Sequence, residues 1–600
     1  MGRGASTRKT DSSRACARFS RRFPRLTVLL CGLALACVPS LARDLDAETV
    51  LLTNARVFTG VPGAPWAEAV AYRGDRLVYV GSKQDAPEPG DSVRAIDLRG
   101  AVVMPGLIDA HTHPGLVAVR GSGDPARDRM LALPEGSREE LFDWLRRFAR
   151  EHPSQEPLFL RSWDVATFLP EGPNRKDLDA IFPMRPVLLF DNSGHSTWAN
   201  SAMLAMLGID ARTPDLSPGL SMAVRDGSGQ PTGWLKEFIA TQKLLPLMVA
   251  PEPVFRARLE QFLGYLSGRG VTTVFDAGNY ILDERVYSVL SDLDRAGELP
   301  LRYYGSYHVW QVQQLDDAIE RLLDLRARYG GKNLRFNTIK IHLDGLPEVL
   351  TASMLDPYAI DEGSRGGQLF DKEQLTGFLL RLDRAGIDLH VHSVGDGSTR
   401  DVLDAVQEAR GKLGRPLKIQ VTLAHLFVVS PEDIPRFSQL DVNANFTPQW
   451  FSGVQYGHAA AVTLGRERAD RQQMAGSLVR AGANVTFASD VVSSGGIPRS
   501  DPFVGIQMSM TRRELDGVQA SDRNPRNDEA LTLPQALAAY TLAGAKQLAI
   551  ADEAGTLAAG KRADLVVLGS DPFGVPAQDI HEIKVSAVIH DGKLVAGALP

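Results

Sequence analysis

Cysteine is nearly absent from this chain of 600 residues: there are three, Cys16, Cys31 and Cys37, all near the N-terminus. Once a leader is removed, the chain has no disulfide, no thiolate metal ligand and no cysteine nucleophile. Any metal must then be held by histidine, carboxylate or a modified lysine. A long apolar run is also lacking. The stretch from Leu26 to Val38 is too short for a comfortable transmembrane helix, and no stable span is expected in the mature chain. Beyond the leader, basic residues are outnumbered by acids. The formal net charge is −6, yet up to Arg25 there are seven Arg and one Lys against a single acid, Asp11. The rest is therefore more acidic still, with no basic patch to suit nucleic acid.

The composition that is present, 44% hydrophobic and 23% charged, is that of an ordinary globular protein. The basic leader, its apolar run and the small-x-small triplet Ser40-Leu41-Ala42 make a secretory signal pattern. Residues 1–42 are thus expected to be a signal peptide and the product secreted or periplasmic. Ser20-Arg21-Arg22-Phe23 is a looser match to a twin-arginine leader, and Ala34-Leu35-Ala36-Cys37 a poor lipoprotein box.

Short strands with turn punctuation occupy both ends of the remaining chain. Val50 to Phe58, Ala69 to Tyr72 and Leu77 to Gly81 lie at one end, Asp564 to Leu568 and Val585 to Ile589 at the other. They are expected to combine into one small β-sandwich, from residues 43–103 and 546–600. Between them, strand and helix patterns alternate. Ala101 to Ile108 reads as a buried strand, followed by Val271 to Asp276, Leu301 to Tyr307, Asn337 to Leu343, Ile387 to His392, Gln420 to His425, Asp441 to Phe446 and Asn484 to Ser489. Amphipathic stretches such as Leu315 to Tyr329 and Lys372 to Ala385 fill most gaps. Eight strands with intervening helices predict a (β/α)8 TIM barrel over residues 104–545, with a subdomain inserted at about 115–255.

Polar residues fall at the strand ends. Asp109-Ala110-His111-Thr112-His113 follows the first strand, and the alternation of side chains puts His111 and His113 on one side. Lys340, His392, His425 and Asp490 end other strands. Barrel active sites lie at the C-terminal mouth, so six potential metal ligands converge there from five strands.

These residues resemble the amidohydrolase superfamily. The resemblance rests on His111-Thr112-His113, on Lys340 with Asp344-Gly345, on His392-Ser393-Val394-Gly395-Asp396, on Ala424-His425 and on Ala488-Ser489-Asp490. Gly194-His195-Ser196-Thr197-Trp198-Ala199-Asn200-Ser201 makes the amidohydrolase 3 branch, that of N-substituted formamide deformylases, the closest match. His342, His390 and Gly397 depart from its pattern. The resemblance implies that His111, His113 and Asp490 hold a more buried metal and that His392 and His425 hold a more exposed one. Lys340 then bridges the two as a carbamate. A single-metal site with unmodified Lys340 is the rival arrangement. Zinc suits the donors, with Mn, Fe and Co left open.

The implied reaction is hydrolysis of a small amide, N-acyl or N-formyl among the options, at a C–N bond other than a peptide bond. A metal-activated hydroxide attacks the carbonyl, the metal and His425 polarise its oxygen, and Asp490 carries the proton to the leaving nitrogen. His195, Trp163, Glu237 and Trp450 are the candidate substrate contacts. His342 and His390 are second-rank donors or barrel packing. Deaminase, lactonase and dipeptidase chemistry share the same site, and a non-catalytic, metal-retaining barrel is the other class. The partner expected is the substrate itself, with a homo-oligomer left open.

Overall fold

The structure is a computed structural model that describes residues 48–119, 131–134, 136–453, 457–515 and 527–600; the expected leader lies outside them. Eight strands form one parallel sheet, each pairing with the next in sequence: β1 (Leu107–Thr112), β2 (Val271–Asp276), β3 (Arg302–Val309), β4 (Leu334–His342), β5 (Asp388–Ser393), β6 (Val421–His425), β7 (Val442–Phe446) and β8 (Val485–Phe487). The Asp490 amide, just past β8, donates to the His111 carbonyl in β1 at 2.9 Å and draws the two edges together. This is the (β/α)8 barrel. Its strands read as continuous runs because both faces are covered; β2, Val-Thr-Thr-Val-Phe-Asp, is buried at every position.

The helix Lys372–Ala385 shows how sequence sets the outer layer. Asp371 and Gln374 form a capping box at its start, and Gly386 ends it in the left-handed region at φ +66°. Leu375, Phe378, Leu379 and Leu382 share the face that packs on the barrel. Each such burial is worth roughly 1.5–3 kcal/mol.

Two expected strands are divided. Ala101 to Ile108 breaks at Gly106, with Val102–Pro105 leaving for another sheet and β1 starting at Leu107. Thr272 of β2 lies so close that a Cβ on Gly106 would sit 2.1 Å from its hydroxyl. Val50 to Phe58 likewise becomes Thr49–Thr53 and Arg56–Phe58, parted at Asn54, whose φ is +52°.

The chain ends meet in a six-stranded sheet where Val102–Pro105 pairs antiparallel with Leu565–Leu568, Val566 opposite Met104. A four-stranded sheet of N-terminal residues completes a sandwich. Val50, Leu52, Val70, Val103, Leu565, Val567 and Ile589 share its core. At the barrel floor, buried Arg302 donates to Asp564 at 3.0 Å and to Asp591 at 2.9 Å, joining β3 to the sandwich. Arg302→Ala leaves two carboxylates without that cation. It is expected to lower stability by about 3–5 kcal/mol, read as a fall in the urea midpoint.

Another six-stranded sheet, mixed in direction, lies between residues 131 and 236. Its core of Trp163, Phe168, Trp198 and Trp234 continues into Leu346, Val349, Val394 and Phe427 of the barrel loops. The inserted subdomain is therefore packed onto the mouth. Among the described residues, no helix is long and apolar enough to cross a membrane.

Candidate metal centre

His111 in β1, His113 one residue past it, Lys340 in β4, His392 in β5, His425 ending β6 and Asp490 after β8 all line one cavity of about 1060 Å³. Asp490 stands among them. Its Oδ1 lies 3.5 Å from His111 Nε2 and 3.3 Å from His113 Nε2, and its Oδ2 lies 3.4 Å from His425 Nδ1. The His392 and His425 ring centres are 4.2 Å apart. His425 and Asp490 have φ of +79° and +48°, a region non-glycine residues enter at a cost of about 1–3 kcal/mol.

Neighbouring groups orient these rings. His113 Nδ1 donates to the Gly278 carbonyl at 2.9 Å, which turns its Nε2 toward Asp490. His111 Nδ1 lies 3.0 Å from Nε2 of His390, two residues before His392, and again Nε2 faces Asp490. Such partners fix tautomer and aim, as they do around bound metals.

The buried His111 Nε2, Lys340 Nζ, His392 Nε2 and His425 Nε2 have no hydrogen-bond partner. Each unsatisfied buried group costs about 1–3 kcal/mol, so four lining one cavity call for a ligand. Burial pushes His425 down to about 3, against the pull of Asp490. Burial and then the Lys340 charge depress His111 far below its ordinary value. Burial would raise Asp490, but the His113 hydrogen bond and the charges of His425, His113 and Lys340 outweigh it and hold the carboxyl at about 2. Neutral His111 and His425 beside an ionised Asp490 are in the protonation states a divalent cation needs, so these residues fit a metal.

The insertion supplies the facing wall. The His195 ring centre is 5.7 Å from that of His392, and its Nδ1 is 2.7 Å from Glu237 Oε2. Glu237 is not in the cavity lining; it reaches the cavity through His195. Trp450 lines the cavity and stacks near His425, centres 5.8 Å apart at 21°.

Trp163, expected as a substrate wall, is instead in the core of the insertion. It is 1% exposed, and its Nε1 donates to the Leu189 carbonyl at 3.1 Å. The register shift between Arg161 and Trp163 breaks the alternation, so that Arg161 and Ser162 line the cavity and the indole does not. His308 was not anticipated. It lines the cavity near the end of β3, which runs to Val309, two residues beyond the expected strand end at Tyr307.

The model of the Amidohydrolase family matches residues 94–596. The chain belongs to this family. The amidohydrolase is 28% identical over 448 residues to the exoenzymes regulatory protein AepA of Pectobacterium carotovorum, covering 73% of this chain and 93% of that one. It is 26% identical over 572 residues to the N-substituted formamide deformylase of Arthrobacter pascens, covering 91% and 98%. A solved metal-dependent hydrolase of Pyrococcus horikoshii superposes with a TM-score of 0.61 at 22% identity over 88% of this chain and 99% of that one, which shows the shared fold. Membership makes the chain a hydrolase of the amidohydrolase superfamily, and the His111, His113 and Asp490 donors lie within 4.8 Å of one another.

Proposed function

We propose that this amidohydrolase cleaves a non-peptide C–N bond in a small amide, N-acyl or N-formyl. It would use one or two divalent ions, zinc foremost. His111, His113 and Asp490 would hold one ion, His392 and His425 the other, with Lys340 between them as a carbamate. The observation that carries this reading is the gathering of unpartnered imidazole and amine nitrogens in one cavity with an ionised Asp490. An ion bound there acidifies water toward a pKa of about 7 and polarises a carbonyl.

The protein's own groups do the rest. Asp490, facing imidazoles on both sides, accepts the proton of the attacking water and passes it to the leaving nitrogen. His425 lies beside it to help polarise the carbonyl oxygen. Glu237 takes Nδ1 of His195, which leaves Nε2 for the substrate. Trp450 offers a flat apolar wall. The relative named as a formamide deformylase, matched over nearly its whole length, supports an amide. The leader pattern of residues 1–42 supports action outside the cytoplasm.

Metal analysis and a substrate panel test this together. Zinc-loaded protein is expected to hydrolyse members of a set of N-acyl and N-formyl amines, and chelation is expected to abolish that turnover. Turnover of lactones alone would move the assignment to lactonase chemistry. Full metal occupancy with no turnover would favour a binding protein.

A further inference from the structure

At one wall of the cavity, His195 and His342 in the lining and Glu237 behind it make a second set of donors, sharing no residue with the six above. His342 is the last residue of β4 and belongs to the barrel. His195 and Glu237 belong to the insertion, flanking the paired strands Ser196–Ala199 and Pro231–Lys236. Ligand atoms of all three lie within 4.8 Å of one another.

Each group is held where it is. His342 is 4% exposed, and its Nε2 has no hydrogen-bond partner. Its ring lies flat on His392, centres 3.8 Å apart at 17°, with Phe238 edge-on at 4.5 Å. Glu237 accepts from Thr351 Oγ1 at 2.6 Å on one oxygen and meets His195 Nδ1 at 2.7 Å on the other. Its backbone sits at φ +54°, a strained conformation for glutamate. Gly345 makes room for it, since a Cβ there would lie 2.2 Å from Glu237 Oε1. Packing alone gives no reason for a buried imidazole with an unpartnered nitrogen beside a buried carboxylate.

We propose that His195, Glu237 and His342 hold a further divalent cation that fastens the inserted subdomain to the barrel rim. Two imidazoles and one carboxylate suit zinc or a similar transition metal, whereas calcium and magnesium prefer oxygen donors. The ion replaces the proton shared by His195 and Glu237. His195 Nδ1, Glu237 Oε2 and a His342 nitrogen each give a lone pair, and the proton leaves to solvent. His195 then keeps its remaining proton on Nε2, fixed as a donor toward the cavity. Attachment of the insertion to the barrel rim thereby depends on metal at a place apart from the reacting centre.

Zinc-saturated, desalted full-length protein is expected to hold one zinc per chain more than the Glu237→Gln or His342→Phe variant, read by elemental analysis. Wild-type crystals grown with zinc and measured at its absorption edge should show a peak about 2.0–2.2 Å from all three residues. Equal zinc contents in wild type and both variants would overturn the proposal, and so would a wild-type map with no peak among the three. The map needs no variant, so a misfolded substitution cannot decide the matter. A peak beside His111, His113 and Asp490 alone keeps the proposed function and removes this site; a peak among His195, Glu237 and His342 alone does the reverse.

Discussion

Asp490→Asn is expected to lower kcat by about 10³-fold or more with the barrel intact, because proton transfer alone is worth about 10²–10⁴. The substitution keeps size and shape and removes the charge. In the protein that charge lies between His111 and His113 on one oxygen and His425 on the other, 3.3 Å from His113 and 3.4 Å from His425. An amide there cannot take a proton from water, and it is a poor partner for a cation. The fold has little reason to object. Asparagine is among the few residues at ease in the left-handed region that Asp490 occupies at φ +48°. The tie from residue 490 to His111 uses the backbone N–H, which asparagine retains. The measurement is kcat at matched metal content, with near-ultraviolet circular dichroism as the check on folding. An undiminished rate would end the role assigned to Asp490.

The features legible in the sequence are those set by local pattern. β2 is a run of buried, mostly β-branched residues, and Val271–Asp276 is where the pattern puts it. The helix Lys372–Ala385 has its capping box and its terminal glycine in plain view. The strand-end rule likewise brings His111, Lys340, His392 and Asp490 to one cavity. What stays hidden depends on distant partners. The break at Gly106 exists because Thr272, far along the chain, leaves no space for a side chain. Trp163 turns inward at a register shift that the residue types do not announce. His195 and Glu237 meet because Ser196 pairs with Lys236, a register that no helix or strand period discloses. His308 lay within reach of the strand-end rule, but its strand reads as ending too soon.

Lys340→Ala is expected to cut activity by at least about 10²-fold, more than the loss of an orienting partner typically brings, and to reduce bound metal. The lysine amine is buried without a hydrogen-bond partner, and burial lowers it to about 7 against the opposing pull of Asp490. Near neutral pH a large share is therefore the free amine, the form that adds carbon dioxide. The nitrogen lone pair bonds to the carbon, one proton leaves, and a carbamate anion remains. That anion has two oxygens where the ammonium had none, so a residue unable to ligate becomes one able to bridge. Alanine removes both the stem and the carbamate and leaves a narrow space in their place. A short carboxylic acid fits the space and restores the same pair of oxygens. Acetate or propionate should thus return part of the lost rate in Lys340→Ala while leaving the wild type unaffected. Protein equilibrated with 13C-labelled bicarbonate should also show a carbamate carbon resonance that the variant lacks. Metal content and rate both unchanged in Lys340→Ala would remove the bridge and leave a centre that holds a single ion.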